Sequence, residues 1–178
     1  MPVIELNHEI SITEKEIQDC VRDLGARITK DYEGRDLVVI GILKGSVIFL
    51  SDLIRAINLP LKIDFMSISS YGSEMKSSGV VRLLYDLNAP IEGKDVLLVE
   101  DIIDTGLTLN YLVENLATRH PKSIKVCVLL DKKEARKPDN QIQVEYVGFE
   151  VPNKFLVGYG LDFNENYRNL PYIAAVTD

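Results

Sequence analysis

The chain has 178 residues, of which 46% are hydrophobic and 26% are charged, and this balance excludes widespread disorder. The formal net charge of −7 excludes a global basic field for nucleic acid, although a local basic cluster could still hold a small polyanion. No apolar run approaches the length of a membrane span, and Cys20 and Cys127 lack disulfide or metal spacing, so we expect a cytoplasmic protein without a membrane partner.

The first half of the chain predicts helices that alternate with strands. Thr13 and Glu16 form a capping-box pattern, and apolar residues at helical spacing follow them. A polar segment rich in glycine and serine, residues 69–79, indicates a mobile loop. The helices are predicted at residues 13–30 and 46–57, and the strands at residues 37–43, 62–69 and 80–85.

The second half continues this alternation. Strands are predicted at residues 95–99, 124–130, 144–149 and 155–158, and one helix is predicted at residues 105–118. Continuous apolar strands joined by helices predict an α/β fold with a parallel sheet covered on both faces. No repeat or linker divides the chain, so we treat residues 1–178 as one domain. Because ligands of such sheets bind beyond the carboxyl ends of the strands, we expect the site just after Leu43, Val99 and Leu130.

The most informative segment follows the strand at residues 95–99. Glu100 and Asp101 stand at the carboxyl end of this strand, and a turn rich in polar residues then opens a helix. The free N–H groups and the positive dipole end at that opening suit a phosphate. The two acids suit a sugar diol or a divalent ion instead. Helix capping alone is the plainer alternative, but capping would not need two further acids at the strand end.

This segment, residues 96–109, resembles the phosphoribosyl pyrophosphate-binding motif of the type I phosphoribosyltransferases. From about residue 37 to residue 176 the chain resembles the hypoxanthine-guanine phosphoribosyltransferase family in particular. The resemblance implies a Rossmann-like parallel sheet flanked by helices, with a small hood and a flexible flap loop. It also implies a Mg²⁺-dependent enzyme that joins a 6-oxopurine to phosphoribosyl pyrophosphate, giving IMP or GMP and releasing pyrophosphate.

The resemblance gives the motif its roles. The ribose 5-phosphate would be bound by Glu100, Asp101, Asp104, Thr105, Gly106, Leu107 and Thr108. Glu100 and Asp101 would bind the ribose hydroxyls and help to order magnesium, and Asp104 would face N7 of the purine as general base. Leu107 departs from the lysine of some relatives, but the phosphate cradle consists largely of backbone amides, so we expect little loss of binding.

Two further segments are assigned to pyrophosphate and to a lid. Lys44, Gly45 and Arg168 would bind pyrophosphate, and the resemblance implies a cis peptide bond before Lys44. An ordinary strand-to-helix turn with an exposed lysine is the alternative. Ser70 and Tyr71 match the Ser-Tyr pair of the family's flap, whose closure would exclude water from an activated sugar. A simple hairpin connection is the alternative for this loop.

The purine would be bound by Lys132, Phe155, Leu156 and Asp162. The resemblance implies that Lys132 donates to the 6-oxo group, Phe155 stacks on the ring and the Leu156 backbone reads the ring edge. Asp162 would also ligate a magnesium ion bound to pyrophosphate. The neighbouring Lys133 leaves open which lysine serves, and from its pattern alone Phe155 could be a core residue.

Two other functions stay open at this point. Some proteins of this fold are regulators that sense phosphoribosyl pyrophosphate and bind nucleic acid, but the net charge of −7 argues against one here. The same chemistry could also act on xanthine, adenine or a pyrimidine. The resemblance further implies a homodimer or homotetramer.

Overall fold

The computed structural model of the chain describes residues 6–70, 81–136 and 142–177. Its helices are α1 (Glu14–Asp31), α2 (Val47–Ala56) and α3 (Leu107–Ala117), with a 3₁₀ turn at Lys133–Ala135. Its strands are β1 (His8–Ile12), β2 (Leu37–Leu43), β3 (Leu61–Ser70), β4 (Val81–Tyr85), β5 (Asp95–Ile103), β6 (Ser123–Asp131), β7 (Tyr146–Glu150), β8 (Leu156–Val157) and β9 (Ile173–Val176). None of the helices in these described ranges is long and apolar enough to cross a bilayer.

The six-stranded central sheet has the order β4-β3-β2-β5-β6-β7. Strands β3, β2, β5, β6 and β7 are mutually parallel, which confirms the predicted fold class. Strand β4 pairs antiparallel with β3 and adds an antiparallel edge that the sequence interpretation did not specify. Only residues 71–80 separate these two strands, and a parallel crossover needs a dozen residues or more.

Helices cover the sheet on both faces, as the continuous apolar strands predicted. Helices α1 and α2 pack on one face, where Ile28, Phe49 and Leu53 are fully buried. Helix α3 packs on the other face through Leu112 and Leu116. The N-terminus of α1 has the predicted capping box, in which the Thr13 N–H donates to the Glu16 carboxylate at 2.8 Å.

A second, three-stranded antiparallel sheet of order β1-β9-β8 lies apart from the central one, and we call it the hood. The sequence interpretation included a small hood but missed β1 and β9. Four of the five residues of β1 are exposed, including Ile10, so no alternation of buried and exposed residues marks the strand. The hood therefore joins the two ends of the described chain.

Candidate active site

The predicted phosphate motif forms a pocket at the carboxyl end of β5. The pocket has a volume of about 220 Å³ and is lined by Glu100, Asp101, Ile102, Ile103, Asp104, Thr105, Gly106, Thr108 and Leu109. Six of these nine residues were predicted to bind ribose 5-phosphate, and the seventh predicted residue, Leu107, opens α3. Strand β5 extends to Ile103, beyond its predicted end at residue 99. Glu100 and Asp101 therefore lie within the strand, near its carboxyl end.

The mouth of α3 has the geometry of an anion site. Gly106 precedes the helix with a φ of +80°, a left-handed conformation that glycine adopts without steric cost. Its carbonyl accepts the N–H of Asn110 at 2.9 Å, so the N–H groups of the first turn have no partner within the helix. These groups and the helix dipole favour a phosphate in the pocket that Thr105 and Thr108 also line.

Glu100 and Asp101 form a pair of adjacent carboxyl groups. Burial raises the pKa of both groups, and the neighbouring Asp101 charge raises the pKa of Glu100 further. The pair is therefore costly to ionise unless a cation or a hydroxyl donor faces it. Magnesium binds to proteins through one or two carboxylates and completes its shell with water and substrate phosphates, so this donor set fits Mg²⁺. Within the described ranges, no three His, Cys, Asp or Glu side chains are close enough to hold a metal by themselves.

The turn after β2 lies directly against this pair. The peptide bond between Leu43 and Lys44 is cis, as the resemblance implied. A Cβ on Gly45 would lie 2.6 Å from the Asp101 carboxyl carbon and overlap its oxygen, so a larger residue there would displace the Asp101 carboxylate. Ser46 is buried and its hydroxyl donates to the Ile42 carbonyl at 2.6 Å.

The segment at residues 158–170, which we call the arginine loop, lies over this turn. Arg168 donates to the Gly160 carbonyl at 2.7 Å and pairs with Asp162 at 2.8 Å. Glu165 pairs with Lys44 at 2.8 Å, and this contact lowers the pKa of Glu165. The structure therefore brings the predicted pyrophosphate residues together, with Asp162 beside them. Sequence reasoning missed Glu165, because nothing local marks a surface acid whose partner is 121 residues away.

Lys132 lies beside Asp104, at the edge of the pocket. Lys132 is only 8% exposed and its ammonium lies 3.9 Å from the Asp104 carboxylate. Lys133 instead points outward and pairs with Glu150, which favours Lys132 as the site lysine.

Phe155 is 53% exposed, so it is not a core residue, whereas Leu156 is buried. The Phe155 ring packs edge-on against the exposed ring of Phe163, with 5.7 Å between the ring centroids.

The predicted flap lies only partly within the described residues. Ser70 ends strand β3, and residues 71–79 of the predicted flap, including Tyr71, lie outside the described residues. Arg136 pairs with the buried Asp131 at the end of β6. This pair flanks Lys132 on the chain and fixes the base of its loop.

Comparison with known proteins matches residues 11–164 to the family model described as the phosphoribosyl transferase domain. The hypoxanthine-guanine phosphoribosyltransferase of Dictyostelium discoideum is 52% identical over 97% of this chain and 97% of its own length. That of Bacillus subtilis is 51% identical over 96% of both chains. A crystal structure of a hypoxanthine phosphoribosyltransferase from Staphylococcus aureus superposes with a TM-score of 0.90 at 49% identity, covering 95% of this chain and 91% of that one.

Proposed function

Because the chain belongs to the phosphoribosyltransferase family, and within it to the hypoxanthine-guanine enzymes, we propose that it is a purine-salvage transferase. It moves the 5-phosphoribosyl group of phosphoribosyl pyrophosphate to hypoxanthine or guanine and releases pyrophosphate. One observation carries the assignment of the site: the acid pair of β5 and the mouth of α3 line one pocket, and the turn that carries Lys44 and Gly45 lies against the Asp101 carboxylate of that pair. A sugar carrying a phosphate at each end needs this arrangement.

In the proposed mechanism, the bond between the anomeric carbon and pyrophosphate breaks as N9 of the purine attacks. The mouth of α3 holds the 5′-phosphate, Glu100 and Asp101 accept from the ribose hydroxyls, and their charge stabilises the positive ring. Lys44, Gly45 and Arg168 hold the leaving group. Since Lys132 and Asp104 lie 3.9 Å apart, one purine can meet both groups, the ammonium at its 6-oxo oxygen and the carboxylate at its mobile proton.

Magnesium is the proposed cofactor, and Glu100, Asp101 and Asp162 are the residues that would hold it or its water shell. When bound, Mg²⁺ neutralises charge on the pyrophosphate group. Both oxygens of Asp162 already accept hydrogen bonds, from Arg168 at 2.8 Å and from the Glu165 N–H at 2.9 Å. Asp162 is therefore held in one orientation beside the proposed pyrophosphate residues.

The test of this function is pyrophosphate release measured with hypoxanthine, guanine, xanthine, adenine and uracil. We expect release with hypoxanthine or guanine, since a buried lysine facing the 6-position donates to an oxo group but repels the amino group of adenine. Release with xanthine alone, or with adenine or uracil, would reassign the substrate. No release with any base, together with binding of phosphoribosyl pyrophosphate, would favour the regulator.

We expect Glu100→Gln to raise the apo-protein Tm at pH 7 by about 2–4 °C, equivalent to about 1 kcal/mol in a chain of this size. The substitution removes a carboxyl group whose ionisation is opposed by burial and by the charge of Asp101. Differential scanning fluorimetry with and without Mg²⁺ checks this, and magnesium should stabilise the wild type more than the variant. Glu33→Gln, a change at an exposed turn residue, is the control and should alter neither value. A lower Tm in Glu100→Gln would contradict the argument.

We place the enzyme in the cytoplasm as a homodimer or homotetramer, with the two substrates as its small-molecule partners and with no nucleic-acid or membrane partner. The net charge of −7 supports the absence of a nucleic-acid partner. Light scattering coupled to size exclusion decides between the two assemblies.

A further inference from the structure

Tyr159, in the arginine loop, has an unusual backbone conformation for its residue type. Its φ is +49°, in the left-handed region, and it stands between Gly158 at +97° and Gly160 at +104°. The residue is only 6% exposed. A large side chain persists in this conformation only where its surroundings hold it, and such positions concentrate at functional sites. The contacts of Tyr159 therefore show what the conformation serves.

The Tyr159 hydroxyl donates to the Asp52 carboxylate at 2.6 Å, across 107 residues of sequence. Asp52 lies in α2, and α2 begins directly after the turn that carries Lys44 and Gly45. We call this hydrogen bond the Tyr159–Asp52 tie. It connects the arginine loop to α2, the helix that follows the Lys44–Gly45 turn.

Gly160, the residue after Tyr159, connects the Tyr159–Asp52 tie to Arg168 through two hydrogen bonds. The Gly160 N–H donates to the Arg168 carbonyl at 2.9 Å, and the Arg168 guanidinium donates back to the Gly160 carbonyl at 2.7 Å. Gly160 also lies against Gly45, where an added Cβ would stand 3.2 Å from the Gly45 carbonyl carbon and nearer still to its oxygen. A shift of Tyr159 would therefore move Gly160 and Arg168 together, away from Gly45.

We propose that Tyr159 and Asp52 are positioning residues that hold Arg168 against the Lys44–Gly45 turn and thereby set the affinity for the pyrophosphate group. This inference rests on the proposed function, because it concerns the leaving-group half of the same site. The 5′-phosphate half stands on β5 and α3, which neither residue contacts through the tie. The two halves of the site should therefore respond differently when the tie is removed.

The experiment is Tyr159→Phe, which keeps the ring and removes the hydroxyl. We expect the KM for phosphoribosyl pyrophosphate and the Kd for inorganic pyrophosphate in magnesium buffer to rise about tenfold, the scale of one lost hydrogen bond to a charged group. The Kd for the purine nucleoside monophosphate, measured by calorimetry, should stay within about twofold, because its phosphate binds to the other half.

Tyr146→Phe is the matched control. The Tyr146 hydroxyl donates to the Asp31 carboxylate at 2.6 Å, and this residue is 2% exposed, so the control loses the same kind of buried hydrogen bond. That bond joins β7 to the end of α1, away from the pocket. Both variants should lose stability, and only Tyr159→Phe should change pyrophosphate binding.

Changes at Asp52 give an independent reading if Tyr159→Phe does not fold. Asp52→Asn keeps an acceptor oxygen for the tyrosine and should retain most of the affinity, whereas Asp52→Ala should behave as Tyr159→Phe does. Unchanged pyrophosphate binding in Tyr159→Phe and Asp52→Ala, or an equal loss of nucleotide binding, overturns the tie as a positioning device. A wild type that binds pyrophosphate but transfers to no base overturns the proposed function and leaves the tie intact.

Discussion

Gly45→Ala should lower kcat/KM for phosphoribosyl pyrophosphate by about a hundredfold or more, while the protein still folds. The added methyl would lie 2.6 Å from the Asp101 carboxyl carbon, so the carboxylate must leave its place. A hydrogen bond to a charged group contributes about 1.5–3 kcal/mol, and the loss of two such bonds to ribose accounts for this effect. Steady-state kinetics at varied phosphoribosyl pyrophosphate, with a melting curve for each variant, gives the measurement.

Two comparisons isolate the cause. Gly34→Ala introduces a methyl into open space at a φ of +74°, so it should cost stability and leave kcat/KM unchanged. In an Asp101→Ala background, Gly45→Ala should add little, because the group it displaces is already gone. Fully additive losses in that double variant would mean that Gly45 acts by another route.

Asp104→Asn should lower kcat by about a hundredfold or more, the usual contribution of a general base. The amide keeps the size of the side chain and loses the ability to take the purine proton. The Kd of the nucleoside monophosphate should change by no more than about threefold, because in the proposed function the α3 backbone holds its phosphate. Single-turnover kinetics and calorimetry measure the two quantities separately.

Asp86→Asn is the control for this change. Asp86 also pairs with a cation, Arg119 at 2.8 Å, but it lies after β4, outside the pocket. Its replacement should leave kcat unaltered. Unchanged turnover in Asp104→Asn would remove Asp104 from the role of base, and a large loss of nucleotide affinity would assign it to binding instead.

The sequence predicted the parts of the site that depend on local pattern. The acids at the end of β5 and the opening of α3 are contiguous, so a single segment contains both the strand and the proposed phosphate site. The cis peptide before Lys44 followed from the resemblance, and the structure confirms it. The end of β5 was placed too early because polar residues resemble a strand end, whereas pairing with β6 continues through Ile103 and Asp131.

The features that the sequence did not reveal depend on distant pairings. Strand β1 shows no alternating pattern, and its partner β9 lies at the other end of the chain. The choice between Lys132 and Lys133 depends on which side chain is buried. The sequence cannot show this difference, because the two residues are identical and adjacent. The Tyr159–Asp52 tie and the Lys44–Glu165 pair join residues more than a hundred positions apart, and no local signal marks either one.

The pairing of β1 with β9 has a consequence for how the molecule assembles. His8 pairs with Val176, so the hood closes a loop that spans nearly all of the described chain. Contacts between such distant residues form slowly, and β9 is synthesised after the strands and helices that form the pocket. The phosphate pocket can order as soon as β2, α2, β5 and α3 exist, whereas Phe155 waits for β9 to supply the N–H that its carbonyl accepts at 2.9 Å. During folding, the proposed phosphate pocket should therefore form before Phe155, the proposed purine-stacking residue, reaches its final position.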